Sequence, residues 1–260
     1  LINLIADFVL KLDIDDNELN TLLVKGFAGT GKTTVLSAFV KALKELKFRF
    51  VLLAPTGRAA KVFSLYSGFN AYTIHKKIYR QKSSKDGFGT FVLDKNLHKK
   101  TIFIVDEASM ISNQNFESSI FGSGNVLNDL LEYVFSGEQC QLILLGDTAQ
   151  LPPVGLDISP ALKMNILQEE GLKVSEIELT QVVRQSLDSG ILSNASGLRQ
   201  NIARETMNYN PELKLSKFED IEYLKGNELI EKISDCYDKY GIENCLVITR
   251  SNKRANKYNE

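Results

Sequence analysis

The chain has 260 residues, a formal net charge of −1 and three widely separated cysteines. Its 43% apolar and 24% charged residues are typical of a globular protein with a large core, in one large domain or two smaller ones. No apolar run approaches the ~20 residues of a membrane span, no signal peptide is visible, and the cysteines fit no disulfide framework or metal-binding spacing. We therefore expect a cytoplasmic protein with no membrane partner, and we also expect a monomer. The near-neutral net charge does not exclude nucleic acid, because a binding groove needs only a local basic strip.

Short apolar strands alternate with amphipathic helices over the first two-thirds of the chain. The predicted helices are residues 1–12, 33–44, 58–65, 125–135 and 159–168. The predicted strands are residues 22–24, 50–54, 101–105, 141–145 and 176–179. Several of these strands are continuous apolar runs, which predicts an α/β fold with a parallel sheet sandwiched by helices. Ligands of such sheets bind at the carboxyl ends of the strands.

Residues 26–33 read Gly-Phe-Ala-Gly-Thr-Gly-Lys-Thr, a complete G-x-x-x-x-G-K-[ST] pattern between a predicted strand and a predicted helix. Its glycines let backbone N–H groups point at phosphate oxygens, and the helix adds the positive end of its dipole. Lys32 would reach the β- and γ-phosphates of ATP, and the Thr33 hydroxyl would ligate Mg²⁺. The alternative is a glycine-rich turn with a stray lysine. The predicted nucleotide-binding residues are Gly26, Ala28, Gly29, Thr30, Gly31, Lys32, Thr33 and Thr34.

Three later segments supply other groups that hydrolysis of a nucleoside triphosphate needs. An apolar strand ends in Asp106, a predicted Mg²⁺ ligand, and Glu107, predicted to orient and deprotonate the attacking water. The alternative is a strand that ends in solvated acids. Gln150 either senses the γ-phosphate or belongs to an ordinary loop. Arg184 either neutralises charge that develops on the γ-phosphate or is a surface arginine.

The alternation is interrupted at residues 78–100, where an Asp-Gly pair lies between two alternating runs. This is a hairpin signal, so we predict a β-hairpin insertion there. It separates the two parts of the first domain, residues 1–77 and 101–175. Residues 176–260 are more polar and contain one more predicted strand, at residues 245–249.

The ordered set of motifs resembles superfamily 1 DNA helicases, most closely the RecD/Dda-type branch that moves 5′ to 3′. The matching segments are residues 26–33, 54–60, 73–75, 106–109, 146–154 and 180–185. The resemblance implies a P-loop NTPase of RecA-like fold, with ATP and Mg²⁺ as cofactors and single-stranded DNA as the partner. In that family two of these segments contact the DNA strand, which makes Pro55, Thr56, Thr73 and His75 candidate DNA contacts.

The family's hairpin insertion parts the duplex, so the resemblance makes Tyr79, Phe88 and Phe91 candidates for stacking on bases. Alternatively, Tyr79 and Phe91 pack the small core of the hairpin, and His75 is a hydrogen-bonded residue at a helix start. Family members also have an adenine-reading glutamine and a complete second RecA-like domain, of which residues 176–260 match only the beginning. We therefore expect an N-terminal motor part that needs the rest of its polypeptide and does not unwind DNA alone.

Two other functions fit part of the sequence. A nucleotide-gated binding module would bind ATP with negligible turnover. A P-loop kinase for small molecules would need an arginine-rich lid, which is not recognised, and the Gln-Leu-Pro-Pro element that contains Gln150 is foreign to that class. The leading hypothesis is an ATP-dependent helicase or translocase on single-stranded DNA.

Overall fold

The computed structural model describes eight ranges of the chain, which are residues 2–13, 18–27, 29–82, 90–114, 121–180, 189–203, 212–215 and 218–259. The chain divides into a first unit, Leu1–Arg184, and a second unit, Gln185–Glu260. Within the described ranges, every helix is too short or too polar to cross a membrane.

A six-stranded sheet forms the centre of the first unit, and every neighbouring pair of its strands is parallel. The described residues of the first unit contain eight strands, six in this sheet and two outside it, which are β1 (Asn20–Gly26), β2 (Arg49–Ala54), β3 (Ala71–Thr73), β4 (Tyr79–Lys82), β5 (Thr90–Leu93), β6 (Thr101–Val105), β7 (Gln141–Gly146) and β8 (Lys173–Leu179). The order across the sheet is β3-β2-β6-β7-β1-β8, while β4 and β5 form a separate antiparallel pair. The predicted α/β fold with a parallel sheet is confirmed.

Helices flank this sheet. In the first unit they are α1 (Ile2–Leu10), α2 (Lys32–Glu45), α3 (Gly57–Ser67), α4 (Ile74–Ile78), α5 (Val126–Phe135) and α6 (Met164–Glu169). The described part of the second unit, taken by itself, contains the helices α7 (Gly190–Ala203), α8 (Leu229–Tyr240) and α9 (Asn252–Asn259).

Hydrophobic cores lie on both faces of the sheet, as the continuous apolar strands require. Phe103 and Val105 of β6 belong to a cluster with α5, whereas Ile102 and Ile104 belong to a second cluster with α1 and α2. Consecutive strand residues point to opposite faces, so β6 is buried between the two clusters. Burial of each of these side chains contributes about 1.5–3 kcal/mol, and a polar residue there would disrupt the centre of the sheet.

The predicted helix at residues 159–168 is wrong, because a break at Lys163 divides it into a 3-10 turn, Pro160–Leu162, and α6. Lys163 has an extended backbone (φ −106°, ψ 111°). Ser159 is the N-cap of the 3-10 turn, and its hydroxyl donates to the carbonyl oxygen of Ala108 at 2.9 Å. This bond holds the start of the segment against the loop that follows β6.

The strand predicted at residues 176–179 belongs to the first unit. It is part of β8, which pairs with β1 along its whole length, from Asn20 opposite Lys173 to Gly26 opposite Leu179. The sheet domain therefore extends beyond the predicted boundary after residue 175.

The described part of the second unit contains helices and no strand. Residues 245–249, predicted as a strand, have no strand partner there, and Leu246 and Ile248 are exposed. A strand is defined by hydrogen bonds to a neighbour, so the apolar run by itself does not form one. The start of α7 is fixed by Asp220, whose carboxylate accepts from the backbone N–H of Gly190 at 2.8 Å.

The predicted hairpin is present as β4 and β5, which pair from Tyr79 opposite Leu93 to Lys82 opposite Thr90. Residues 83–89, which include Phe88, lie outside the described residues. The ladder ends at Leu93, earlier than the predicted end of the insertion at residue 100.

Candidate active site

The carboxyl ends of the parallel strands bring the predicted site segments to one edge of the sheet. The glycine loop follows β1, Asp106 follows β6, and the loop that contains Gln150 follows β7. Because β6, β7 and β1 are adjacent in the sheet, these three segments lie side by side.

The glycine loop has the local geometry that its sequence predicts. Gly29 and Gly31 have positive φ values of 85° and 84°, a conformation that costs other residues more than it costs glycine. The Thr30 hydroxyl donates to the carbonyl oxygen of Phe27 at 2.8 Å, which closes the turn. Gly31 is the N-cap of α2, so the loop ends at the positive end of the helix dipole. Ala28 lies outside the described residues.

Gly26 is required where the loop leaves the sheet. A Cβ atom at this position would lie 2.9 Å from the Cβ atom of Leu179 and 2.9 Å from the Thr30 hydroxyl oxygen. The loop therefore begins in close contact with the end of β8, a role for Gly26 that adds to its predicted part in nucleotide binding.

Lys32 is the first residue of α2, and its side chain curls over the glycine loop. Its ammonium group donates to the carbonyl oxygens of Gly26 and Phe27, the second at 3.0 Å. The positive charge is therefore held at the mouth of the loop, where a phosphate group would be bound.

Asp106 lies immediately beyond the tip of β6, and its carboxylate has two donors. The Tyr66 hydroxyl donates to Oδ2, and the backbone N–H of Glu107 donates to Oδ1 at 2.9 Å. Burial raises the pKa of Asp106 above its ordinary value, while these two hydrogen bonds and the charge of Lys32 oppose the rise. The site thus holds a carboxylate that a nearby cation would stabilise in its charged form.

Glu107 has a strained backbone, with φ 57° and ψ 37° in the left-handed region. This conformation costs a non-glycine residue about 1–2 kcal/mol, and such strain is concentrated at functional sites. Burial raises the pKa of Glu107, and the carboxylates of Asp106 and Asp147 raise it further, whereas Lys32 lowers it. Glu107 is therefore a stronger base than an exposed glutamate.

The charges of this edge act on one another. The positive charge of Lys32 lowers the pKa of both Asp106 and Glu107. Asp147, at the end of β7, is buried and contributes to the same field. Its carboxylate accepts from the backbone N–H of Ala149 at 2.9 Å. The structure brings the predicted lysine and the two predicted acids into one electrostatic site.

The oxygen donors present fit Mg²⁺. This ion prefers oxygen ligands and is commonly held by one or two protein groups together with water and substrate phosphates. Asp106 is half-buried, and Thr33 is exposed in the first turn of α2 beside Thr34. The described residues contain no cluster of three or more His, Cys, Asp or Glu side chains that would hold a metal ion by itself. Asp106 and Thr33 are the protein groups that would hold Mg²⁺ together with a bound phosphate.

The other two predicted catalytic residues are less closely defined. Gln150 lies in the loop after β7, where its backbone N–H donates to the carbonyl oxygen of Asp147 at 3.2 Å and its side chain is exposed. Arg184 lies outside the described residues. The sensing role of Gln150 and the charge-neutralising role of Arg184 stay predictions.

Two candidate DNA contacts are helix caps at the same edge. The Thr56 hydroxyl accepts from the backbone N–H of Ala59 at the start of α3, and the Thr73 hydroxyl accepts from that of Lys76 at the start of α4, both at 3.2 Å. Each hydroxyl keeps its own proton for donation to a phosphate oxygen. Pro55 directly precedes the first cap and is half-buried.

The hairpin aromatic residues lie in a cluster with Phe121. The Phe91 ring stacks on Phe121 with centroids 4.5 Å apart, and the half-buried His75 ring contacts the same side chain edge-on at 5.0 Å. Tyr79 is only 7% exposed and donates through its hydroxyl to the buried carboxylate of Asp129 at 2.6 Å. In this conformation the Tyr79 ring is not accessible to a base, which favours its alternative role in packing.

Burial determines the protonation of this cluster. It lowers the pKa of His75, and the carboxylate of Asp129 opposes that change, so the imidazole is neutral at neutral pH. Burial and the bond to Asp129 raise the pKa of Tyr79, so its hydroxyl keeps its proton and stays a donor. A contact of His75 with DNA would therefore be a hydrogen bond or a ring contact and not an ion pair.

Two site residues were missed by the sequence reasoning. Asp147 follows an apolar strand as Asp106 does, so its pattern was visible, although the role in that segment was given to Gln150. Tyr66 has no local signal, because its contact with Asp106 joins residues forty positions apart.

The chain belongs to the AAA-domain family, which it matches over residues 16–213. It is 30% identical over 180 residues to the ATP-dependent RecD2 DNA helicase of Deinococcus radiodurans, covering 68% of this chain and 21% of that protein. It is 28% identical over 155 residues to the ATP-dependent DNA helicase Pif1 of a Psychrobacter species, covering 55% of this chain and 21% of that protein. The predicted resemblance to RecD-type superfamily 1 helicases is confirmed.

Among solved structures, the chain is similar to the Pif1 helicase from Candida albicans, with 23% identity and a TM-score of 0.44. That alignment covers 89% of this chain and 53% of the solved one. The chain thus spans about a fifth of the length of the two curated relatives and about half of the solved structure.

Proposed function

We propose that the chain is the N-terminal ATPase part of an ATP-dependent helicase or translocase on single-stranded DNA, with ATP and Mg²⁺ as cofactors. The observation that carries this proposal is the position of Lys32, which lies over the glycine loop and acts electrostatically on both Asp106 and Glu107. The helicase names of the relatives support the motor function.

Nucleotide binding follows from the glycine loop and the start of α2. Backbone N–H groups of the loop donate to the phosphate oxygens, and Lys32 exchanges its carbonyl partners for the β- and γ-phosphates. The Thr33 hydroxyl and the Asp106 carboxylate hold Mg²⁺, which when bound neutralises part of the charge on these phosphates.

Hydrolysis uses Glu107 as the general base. Glu107 takes a proton from water as the water oxygen forms a bond to the γ-phosphorus and the bond from phosphorus to the bridging oxygen of ADP breaks. Its raised pKa brings the base closer to neutral pH, where proton transfer is most effective. Gln150 responds to the presence of the γ-phosphate, and Arg184 stabilises the charge of the transferring group.

A basic segment supports single-stranded DNA as the partner. Residues 46–85 contain nine Lys and Arg residues and no Asp or Glu, although the whole chain has a net charge of −1. Arg58 and Lys61 on α3 and Lys76 on α4 are exposed, close in sequence to the caps Thr56 and Thr73. Such a local cluster attracts a phosphate backbone, and the hydroxyls and His75 are suited to donate to it.

A motor must change its affinity for the DNA strand during each cycle of ATP binding and hydrolysis. Phe91 and Phe88 are the candidate contacts with a base at the junction, and Tyr79 holds the first strand of the hairpin through its bond to Asp129. We propose that unwinding needs more of the polypeptide than these 260 residues, so the chain alone binds nucleotide without separating strands.

Addition of single-stranded DNA is expected to raise the rate of ATP hydrolysis by the full-length protein roughly tenfold or more, because closure on the strand completes the catalytic site. The measurement is steady-state release of phosphate with and without a single-stranded oligonucleotide, at low and at physiological ionic strength. Salt should weaken the DNA effect, since the basic segment acts by releasing counterions.

A matched pair of variants tests where the DNA binds. Lys61→Ala combined with Lys76→Ala should weaken DNA binding and reduce its dependence on salt, whereas Lys41→Ala on α2, outside the basic segment, should change neither. Nucleotide binding with negligible turnover, with or without DNA, would favour the nucleotide-gated binding module. Strand displacement by the 260-residue chain alone would contradict the proposed need for more of the polypeptide.

A further inference from the structure

Tyr66 connects the two elements that carry the proposed Mg²⁺ ligands. It lies in the last turn of α3, and its hydroxyl donates to Oδ2 of Asp106, immediately beyond β6. Its backbone carbonyl accepts from the Ser37 hydroxyl at 2.8 Å. Ser37 lies one helical turn after Thr33 on the same face of α2. A single residue therefore contacts both sides of the site.

The Tyr66 ring is itself held in place. It stacks on the Phe63 ring, with centroids 5.2 Å apart and an angle of 24° between the planes. Phe63 is completely buried in the cluster that contains residues of α1 and α2. The direction of the hydroxyl is thus set by core packing and does not depend on a mobile surface side chain.

The hydrogen bonds at Asp106 leave room for a cation. Tyr66 donates to one carboxylate oxygen and the backbone N–H of Glu107 donates to the other. Each oxygen of a carboxylate accepts about two hydrogen bonds, so one lone pair on each oxygen is left for a metal ion or its water. The two donors fix the rotation of the carboxylate without blocking it.

We propose that Tyr66 is a positioning residue for Mg²⁺, which orients the Asp106 carboxylate toward Thr33 and ties α3 to the helix that carries Thr33. The proposal rests on the nucleotide-binding function given above. Groups that hydrogen-bond to a metal ligand orient it and commonly contribute about 10–100-fold to metal affinity.

Replacing Tyr66 by Phe keeps the ring and removes the hydroxyl. The Tyr66→Phe variant is expected to need about tenfold more Mg²⁺ than the wild type for the half-maximal gain in affinity for ADP. The readout is the fluorescence of an ADP analogue titrated at increasing Mg²⁺, which does not depend on turnover. Affinity for the analogue in the presence of a chelator should stay unchanged, because the phosphate contacts of the glycine loop are intact.

Two further variants separate positioning from folding. Tyr133→Phe removes the hydroxyl of another buried tyrosine, one that packs edge-on against Phe103 in the other hydrophobic cluster, and should leave the Mg²⁺ requirement unchanged. Ser37→Ala removes the hydrogen bond from Ser37 to the Tyr66 carbonyl oxygen but keeps the bond from the Tyr66 hydroxyl to Asp106. It should raise the Mg²⁺ requirement as Tyr66→Phe does, by a smaller factor.

The outcomes distinguish this inference from the proposed function. If the wild type shows no Mg²⁺-dependent binding of nucleotide, the proposed function fails. If the wild type binds and Tyr66→Phe has the same Mg²⁺ requirement, the inference about Tyr66 is overturned while the function stands. Equal weakening with Mg²⁺ and with the chelator overturns it as well, because that pattern indicates only a structural role.

Discussion

The Glu107→Gln variant is expected to bind ATP as tightly as the wild type and to hydrolyse it about 10²–10⁴-fold more slowly. Glutamine keeps the size and the hydrogen-bonding reach of glutamate but takes no proton from water. Neither Lys32 nor the loop glycines are touched, so the phosphate contacts persist. The measurement combines single-turnover hydrolysis with equilibrium binding of ATP, and the variant should retain bound ATP where the wild type releases ADP.

Glu45→Gln is the matched control, since Glu45 is exposed at the far end of α2. It should hydrolyse ATP at the wild-type rate. In the wild type, the rate should fall as the pH is lowered through the raised pKa of Glu107, because the protonated acid is no longer a base. A Glu107→Gln variant with more than a tenth of the wild-type rate would exclude Glu107 as the base.

The Asp106→Asn variant is expected to lose Mg²⁺-stimulated hydrolysis and to be more stable than the wild type without nucleotide, by roughly 0.5–2 kcal/mol. Burial raises the pKa of Asp106 in the folded state, so the folded protein holds this proton more tightly than the unfolded chain does. The free energy of unfolding of the wild type therefore falls as the pH rises from the ordinary aspartate pKa through the folded-state pKa. At neutral pH the wild type still has the full cost of a charged Asp106 in the folded state. Asparagine has no charge and keeps both contacts, because its oxygen accepts from the backbone N–H of Glu107 and its NH2 group donates to the Tyr66 hydroxyl oxygen.

The measurement is denaturant unfolding at neutral and at acidic pH. The difference in the free energy of unfolding between Asp106→Asn and the wild type should be largest at neutral pH. It should shrink in acid, where Asp106 is protonated. With saturating Mg²⁺ and nucleotide, the wild type should become more stable than Asp106→Asn, because ligand binding stabilises the wild type by mass action. Asp7→Asn on the exposed face of α1 is the control and should show no such pattern. Lower stability of Asp106→Asn at neutral pH would contradict this account.

The sequence predicted those parts of the site that depend on local patterns. The glycine loop, Asp106 and Glu107 each follow an apolar strand, and in a parallel sheet such positions share one edge. The strand at residues 101–105 was predicted with its observed bounds, because a strand buried on both faces is a continuous apolar run with a clear end.

The features that the sequence did not predict depend mostly on contacts between residues that are far apart in the chain. The bond from Tyr66 to Asp106 spans forty positions, and the bond from Tyr79 to Asp129 spans fifty. Tyr79 and Phe91 lie on the same face of the hairpin, because Phe91 is opposite Gln81, two residues after Tyr79, but the sequence does not show that this face packs against Phe121. The strained backbone of Glu107 also has no signal in the sequence, since glutamate does not favour the left-handed region.

The basic segment at residues 46–85 was visible in the sequence but hidden in the net charge. The acids that balance it lie elsewhere along the chain, so the total of −1 gives no indication of a surface suited to phosphates. Charge counted over windows would have found it.

The most direct test of the central claim is a crystal structure of the chain with Mg²⁺ and a slowly hydrolysed ATP analogue. We expect the triphosphate in the glycine loop, Lys32 at the β- and γ-phosphates, and Mg²⁺ held by Thr33 and Asp106 directly or through water. A nucleotide bound elsewhere, or an Asp106 carboxylate turned away from Thr33, would contradict the assignment of this edge of the sheet as the ATPase site.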